Sequence, residues 1–524
     1  MTPWLTILGA VPLVGALVVG FLPRGRDLLA KQVALGASLV VLAITAAAWV
    51  DYDRSAGAAR FQFVQSHDWI KAFGVKYAVG VDGIALVLIA LVAVLVPVVI
   101  LASWDAVEDL DTSGRDAPGT GRRSVPAFFA WLLVLETMII GVFAATDVFL
   151  FYVFFEAMLI PMYFLIGTYG GPRRAYAAVK FLLYSLFGGL LMLAAVIGLY
   201  VQSAKQGTGT FSFHALSELE LSHSTQIWLF LGFFLAFAIK APLFPFHTWL
   251  PDAGAESPTG GAVLLVGVLD KVGTFGFLRY CLPLFPYAAH KLAPYVIALS
   301  VIGILYGALL AMGQKDLKRL VSYTSVAHFG FIGMGCFAFT TQAGTGAVLY
   351  MVNHGLSTGA LFLVVGFLVD RGRSRLIPDY QGVAKVAPVL AAMFFVAGLS
   401  ALALPGFSTF ISEFLVLLGT FTRYKLAAVL ATTGIVLAAL YVLLAYQRTM
   451  QGPLAAANAA FKDLKAREVA ALAPLIGLML VLGFYPKPVT DVINPAIAAT
   501  MDDVGAHDPA PTQAAVAHSD VESK

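Results

Sequence analysis

Several ionisable side chains stand in the middle of long apolar runs. Glu136 lies in Val134-Leu135-Glu136-Thr137-Met138 and Glu156 in Phe154-Phe155-Glu156-Ala157-Met158. Lys240 ends the run Ala236-Phe237-Ala238-Ile239, Asp270 and Lys271 are neighbours in another, and Glu413 sits in Phe410-Ile411-Ser412-Glu413-Phe414. His328 and His354 occupy two further apolar stretches, and His247 follows Lys240 across two prolines. A charge at the centre of a bilayer helix costs at least ~2.5–3.5 kcal/mol, so such groups are paired or functional. Their types suit proton transfer. Burial favours the neutral form of a carboxylate or an amine, and an opposite charge favours the ionised form. A Glu–Lys pair that can separate therefore changes protonation when its geometry changes. Histidine titrates nearest neutrality and can pass a proton between its two nitrogens. A series Glu156, Lys240, Lys271, His328 and Glu413 on successive helices makes a lateral proton wire completed by water, with Glu136, His247, Asp270 and His354 in support. Static roles compete with this reading. Asp270 and Glu136 also fit as partners of a lysine or of backbone donors, and either histidine alone fits a hydrogen-bonded packing residue. Asp270 and Lys271 lie about 100° apart around a helix, so they need not face one partner.

The elements that must hold these groups are membrane helices. Of 524 residues, 60% are hydrophobic and 12% charged, against roughly 45–50% and about 25% in soluble domains. That excludes a soluble globular enzyme, and a net charge of +3 gives no argument for a nucleic-acid partner. Cys281 and Cys336 both lie in apolar sequence, which argues against a disulfide framework, a metal site or an iron–sulfur site. The apolar start, Met1 to Leu22, lacks a basic leader and reads as a first span. Hydropathy predicts fourteen spans, at about 3–22, 30–50, 83–104, 125–145, 147–169, 177–201, 226–246, 258–281, 293–313, 322–341, 344–369, 387–418, 424–446 and 469–486. The polar segment from Asp51 to Asp82 reads as an irregular extramembrane loop, and 501–524 as a disordered tail. Placing both termini outside puts the larger share of the 33 lysines and arginines on the cytoplasmic side, Arg173, Lys180, Lys318, Arg319, Arg371, Arg375, Lys465 and Arg467 among them.

Two spans carry breaks, the seventh at Pro242 and Pro245 and the twelfth at Pro405-Gly406. Proline removes a backbone donor and clashes with the preceding turn. Interrupted helices at matching places in two halves are a mark of transport sites in inverted repeats, although ordinary proline kinks give the same letters. The expected architecture is an all-α polytopic membrane protein of about fourteen transmembrane helices. It has two inverted five-helix repeats, 125–281 and 293–446, with discontinuous seventh and twelfth helices. A three-span region, 1–124, precedes the repeats, and 447–500 adds a loop and the last span.

Ordered motifs carry a resemblance through about residues 80 to 490. They are Phe155-Glu156-Ala157-Met158-Leu159-Ile160-Pro161-Met162-Tyr163-Phe164, Ala238-Ile239-Lys240-Ala241-Pro242 with Pro245-Phe246-His247-Thr248-Trp249-Leu250-Pro251-Asp252-Ala253, and Asp316-Leu317-Lys318-Arg319-Leu320. Tyr323-Thr324-Ser325-Val326-Ala327-His328 and Leu482-Gly483-Phe484-Tyr485-Pro486 complete the set. In these the chain resembles the antiporter-like proton-pumping subunits of respiratory complex I. Glu413 stands where the L and N subunits and the cation/proton antiporter subunits usually have lysine. No long lateral helix follows the last span, and both features are similar to the M-type branch. The resemblance implies Glu156 paired with Lys240 near a neighbouring subunit, Lys271 and His328 at the centre, and Glu413 toward the next subunit or the exit. Asp270 departs from the apolar residue expected before the central lysine. The implied activity is proton translocation within an NADH–quinone oxidoreductase, a translocase of the bacterial plasma membrane. The implied partners are the other membrane-arm subunits, especially L and N, with lipid, protons and internal waters. No cofactor is expected on this chain, since NADH, FMN, iron–sulfur clusters and quinone would be held by other subunits. The alternatives are a D-type subunit of a multisubunit sodium/proton antiporter, the equivalent subunit of a membrane-bound hydrogenase, and a non-transporting scaffold.

Overall fold

The computed structural model describes residues 3–23, 25–55, 57–105, 107 and 124–509, and every one of the fourteen expected segments is helical. They begin with α1 (Trp4–Gly20), α2 (Asp27–Asp51), α3 (Gly83–Ala102), α4 (Val125–Ala144), α5 (Val148–Tyr169) and α6 (Arg174–Gln206). The seventh is split into α7a (His223–Lys240) and α7b (Leu250–Glu256), followed by α8 (Thr259–Leu284), α9 (Pro286–Met312), α10 (Leu317–Phe337) and α11 (Thr341–Gly372). The twelfth is split into α12a (Pro388–Ala401) and α12b (Ser408–Phe421), and α13 (Lys425–Met450) and α14 (Ala466–Phe484) complete the bundle.

Short polar side chains start these helices by accepting from first-turn amides that have no helical partner. Asp82 accepts from Ala85 N at 2.9 Å, Asp147 from Leu150 N at 2.9 Å, Asp316 from Arg319 N at 3.1 Å and Thr340 from Ala343 N at 3.1 Å. α8 and α11 are enclosed on all sides and α10 almost so, whereas α2, α13 and α14 are peripheral. The peripheral helices turn leucine and valine outward, as in Leu426, Val429 and Val436. Asp270, Lys271, His328 and His354 lie on the enclosed helices, away from lipid.

The loops sort onto two faces. On one, Lys180 and Arg319 pair with Asp252 at 2.7 and 2.5 Å, and Arg375 pairs with Glu256 at 3.1 Å. Arg371 and Glu468 meet there at 2.5 Å, and Arg467 and Asp105 at 2.6 Å. These cations are among those that the charge bias assigned to a single side, so the parity of the span count holds.

On the opposite face the polar segment expected to be irregular forms an antiparallel hairpin, β1 (Gln62–Ile70) and β2 (Val75–Val81). The correction has a physical reason. A hydropathy window averages away the strand alternation, while the tight turn at Gly74, with φ +67°, and a bridge from Val79 to Ala145 satisfy the backbone. A second correction concerns the tail. Helix α15 (Lys487–Asp503) runs through Met501, which is buried, and lies on α3 and α11. A Cβ on Gly83 would overlap the Val492 carbonyl, so glycine permits that approach. Beyond it, Asp508 accepts from Thr341 N at 2.8 Å and Val504 O bonds His290 at 2.9 Å. The rest of the expected tail, 510–524, lies outside the described residues.

Candidate functional site

The apolar ridge of α5 delivers Glu156 against α6. A Cβ on Gly189 would overlap Glu156 Oε1, so only glycine lets α6 pass beside the carboxylate. Lys240 is the last residue of α7a and is fully buried. Its ammonium lies 4.8 Å from the centre of the Phe155 ring and 5.7 Å from that of Phe181. Among the described residues neither Lys240 Nζ nor Glu156 Oε1 has a hydrogen-bond partner. Lys240 is nevertheless within Coulombic reach of both Glu156 and Asp270.

α8 carries the centre of the site and departs most from regular geometry. Leu265–Leu269 and Phe277–Cys281 are π-helical turns on either side of the α-helical Lys271–Gly276. Such widened turns release carbonyls from the usual ladder and frequently mark functional sites. Lys271 uses one of them, donating to Val266 O, and bonds His354 Nδ1 at 2.7 Å. Asp270 is equally buried, and neither of its oxygens has a hydrogen-bond partner among the described residues. A Cβ on Gly273 would press on Phe237 O and Ala241, so α8 packs directly on the first helix break.

From Lys271 the polar groups continue through α11 and α10 to α12. His354 and His328 stand edge to face with ring centroids 5.2 Å apart, and His328 lies 5.7 Å from Tyr350. His354 Nε2 and His328 Nδ1 are both buried and free of hydrogen bonds among the described residues, and His328 also bonds the backbone of Ala401. The Tyr350 hydroxyl donates to Glu413 Oε2 at 3.1 Å. Asn353 ties α11 to the second break through Ser408 O at 2.8 Å and Ser412 Oγ at 2.7 Å.

Seven of the nine predicted ionisable residues therefore fall along one seam, from the half-buried Glu156 through the buried Lys240, Asp270, Lys271, His354 and His328 to Glu413. Two do not. Glu136 is fully buried on α4 with no hydrogen-bond partner among the described residues. His247 lies in the first break between Phe244 and Tyr306. The predicted Pro242 and Pro245 lie within the first interruption, Pro405 and Gly406 within the second, and Gly406 has φ +97°. Sequence reasoning missed Tyr350 and Asn353. Tyr350 is four residues before His354 and shares its helix face, a spacing that could have pointed to it. The π turns leave no such signal.

Residues 145–440 match the family described as "NADH:quinone oxidoreductase/Mrp antiporter, TM". The fold and this match together define a membrane subunit of the NADH:quinone oxidoreductase/Mrp antiporter class. The chain is 52% identical to the NADH-quinone oxidoreductase subunit M of Mycobacterium tuberculosis, covering 98% of this chain and 96% of that one. It is 38% identical to the NADH-ubiquinone oxidoreductase chain 4 of Arabidopsis thaliana, over 93% and 94%. Within that class it belongs to the subunit M and chain 4 family of NADH-quinone oxidoreductases. Among solved structures, respiratory complex I from Thermus thermophilus with bound NADH contains a chain of TM-score 0.85 and 32% identity, matched over 96% of this chain and all of that one. The Mrp complex from Dietzia, at TM-score 0.79 and 19% identity over 96% and 98%, shares the fold.

Proposed function

We propose that this chain translocates protons as a membrane-arm subunit of an NADH–quinone oxidoreductase, driven by redox chemistry on other subunits. One observation carries the reading: a buried seam of ionisable groups joins two interrupted helices, with the Lys271 ammonium bonded to His354 at its centre. Lysine and histidine at membrane depth can exchange a proton at modest cost, because each is close to losing its charge when desolvated. If Lys271 donates to His354 Nδ1, a neutral His354 carries its proton on Nε2, and the neighbouring His328 ring has an Nδ1 without a hydrogen-bond partner among the described residues. That is the polarity a relay requires, with water spanning the gap between the rings.

In this proposal the Glu156–Lys240 pair opens, Lys240 transfers charge to Lys271, and the two histidines and Glu413 pass it on, with Tyr350 steadying Glu413. Asp270 lies between the lysines and biases the transfer. The repeats 125–281 and 293–446 each supply a half-channel. L- and N-type subunits are the neighbours, and NADH, FMN, iron–sulfur clusters and quinone are bound elsewhere in the complex. The face rich in ion pairs is cytoplasmic and the hairpin face is external, with the chain in a bacterial plasma membrane and both termini outside.

The test uses inverted membrane vesicles from wild type and a Glu156→Gln strain, following NADH oxidation and the acidification it drives. Loss of both signals in a fully assembled complex supports the reading. Normal NADH oxidation and pumping in that strain overturns the place of Glu156 on the proton path. Intact pumping per electron in Lys271→Ala overturns the relay.

A further inference from the structure

The ion-pair face holds a cavity of about 400 Å³ that lies apart from the seam, with Lys315, Ile377, Tyr380, Gln381 and Arg448 in its lining. Three chain segments wall it: the turn between α9 and α10, the stretch 377–381, and the last turn of α13, which carries Arg448. Backbone hydrogen bonds tie these walls together. They run from Ile377 N to Lys315 O at 2.8 Å, from Leu317 N to Arg375 O at 2.9 Å and from Gly382 N to Gln451 O at 3.0 Å. The cavity is therefore preformed, and its size falls within the range of small-ligand sites.

Its charge is one-sided. Lys315 and Arg448 both reach it, and among the described residues no carboxylate lines it. The nearest acids in sequence are engaged elsewhere, since Asp316 pairs with Arg375 at 3.2 Å and Asp379 accepts from the Ser374 hydroxyl. Neither Lys315 nor Arg448 has an ion-pair partner among the described residues. Lys180, Arg319, Arg371, Arg375 and Arg467 on the same face all have one. α9 and α13 end here, and a cation suits the carbonyl end of a helix. That accounts for each residue type singly, but not for the convergence of both on a tied cavity without an acid.

Position decides the ligand. Toward the bilayer, α9 and α13 are apolar and exposed at Leu309, Leu440 and Leu443. Leu443 precedes Arg448 by only about 7.5 Å along the helix. We infer that the cavity holds the phosphate of an anionic phospholipid, whose acyl chains lie along α9 and α13. Basic residues at the membrane surface attract such lipids. Lys315 and Arg448 give charge-assisted bonds to phosphate oxygens, and the Gln381 amide adds a neutral donor. The leucine-rich outer sides suit acyl chains, whereas close contact with another helix favours small residues. A zwitterionic headgroup fits less well, because its ammonium would meet two cations and no acid. None of this depends on proton movement, so its failure leaves that reading standing.

The experiment incubates the purified whole complex in detergent with radiolabelled phosphatidylglycerol or phosphatidylcholine and counts the lipid retained. Wild type is compared with Lys315→Gln/Arg448→Gln and with the charge-keeping Lys315→Arg/Arg448→Lys. Both positions are exposed, so neither exchange disturbs the core. The neutral variant should lose one tightly held phosphatidylglycerol, with affinity at that site reduced about tenfold or more. The charge-keeping variant should match wild type, and phosphatidylcholine retention should be the same in all three. Equal phosphatidylglycerol retention in wild type and the neutral variant overturns the proposal; if a neighbouring subunit is lost instead, the cations hold an acidic protein segment. A charge-keeping variant that loses the lipid as the neutral one does also overturns it. So does displacement of the lipid by equimolar inorganic phosphate, which would make this a site for the free anion.

Discussion

At the first break α7a stops at Lys240 and the helix resumes at Leu250, while at the second α12a stops at Ala401 and α12b starts at Ser408. The first break is bound across itself, since Trp249 Nε1 donates to Ile239 O at 2.8 Å from a fully buried indole. The second is likewise bridged, with Thr409 Oγ1 donating to Ser400 O, and both reach the surface, at Pro245 and Thr248 in the first and at Leu404 and Pro405 in the second. The charges they present are nevertheless restrained differently. Among the described residues Lys240 at the first break has aromatic faces and no hydrogen-bond partner, whereas Glu413 beside the second is bonded by Tyr350, with the Tyr441 hydroxyl also near. The contrast teaches that a helix break fixes where backbone is freed, while the freedom of the charge beside it is set by neighbouring helices.

Lys240→Met gives the largest effect. With no group among the described residues bonded to Lys240 to take over, NADH-driven acidification should fall by about a hundredfold or more, the usual range for losing a positioned proton-transfer group. Substantial pumping in that variant would show that the first break is not on the path. Trp249→Phe comes next. Leaving the buried Ile239 carbonyl without its donor costs about 1–3 kcal/mol, so hydrogen exchange across 241–249 should quicken by roughly tenfold or more. Unchanged exchange would show that the indole bond does not hold the first break together.

Tyr350→Phe should be milder. It deletes one hydrogen bond, worth about 0.5–1.5 kcal/mol, so pumping should slow by no more than about tenfold. Complete loss would mean that Tyr350 is an obligatory carrier and that Glu413 is not merely steadied by it.

The smallest effect belongs to a control on the ion-pair face, distant from both breaks. The Arg467 guanidinium holds the Asp105 carboxyl below its ordinary range against the effect of its partial burial. A lowered pKa in the folded state contributes stability above the unfolded carboxylate pKa of about 4 and loses it as pH falls through the folded value. Asp105→Asn should therefore lower Tm slightly at neutral pH, by an amount equivalent to less than about 1 kcal/mol for this partly exposed pair. The difference from wild type should vanish in acid, and pumping should be unchanged.

The chain order of polar and apolar residues was enough to establish the membrane class, the fourteen spans, the two breaks and the ionisable groups at depth. Each of these follows from solvent preference or from proline chemistry, properties a residue carries wherever it lies. Even the separation of the loops onto two faces could be read from charge bias. Tertiary structure alone decided which of those groups meet. Lys271 finds His354 from 83 positions away, Tyr350 finds Glu413 from 63, and Asp82 finds Arg279, while Glu136, indistinguishable from Glu156 by hydropathy, is left apart. The hairpin, α15 and the π turns on either side of Lys271 were likewise invisible. A helix rotated by part of a turn presents a different side chain to its neighbour at the same hydropathy, so these contacts are set by packing between helices and not by the composition of any one of them.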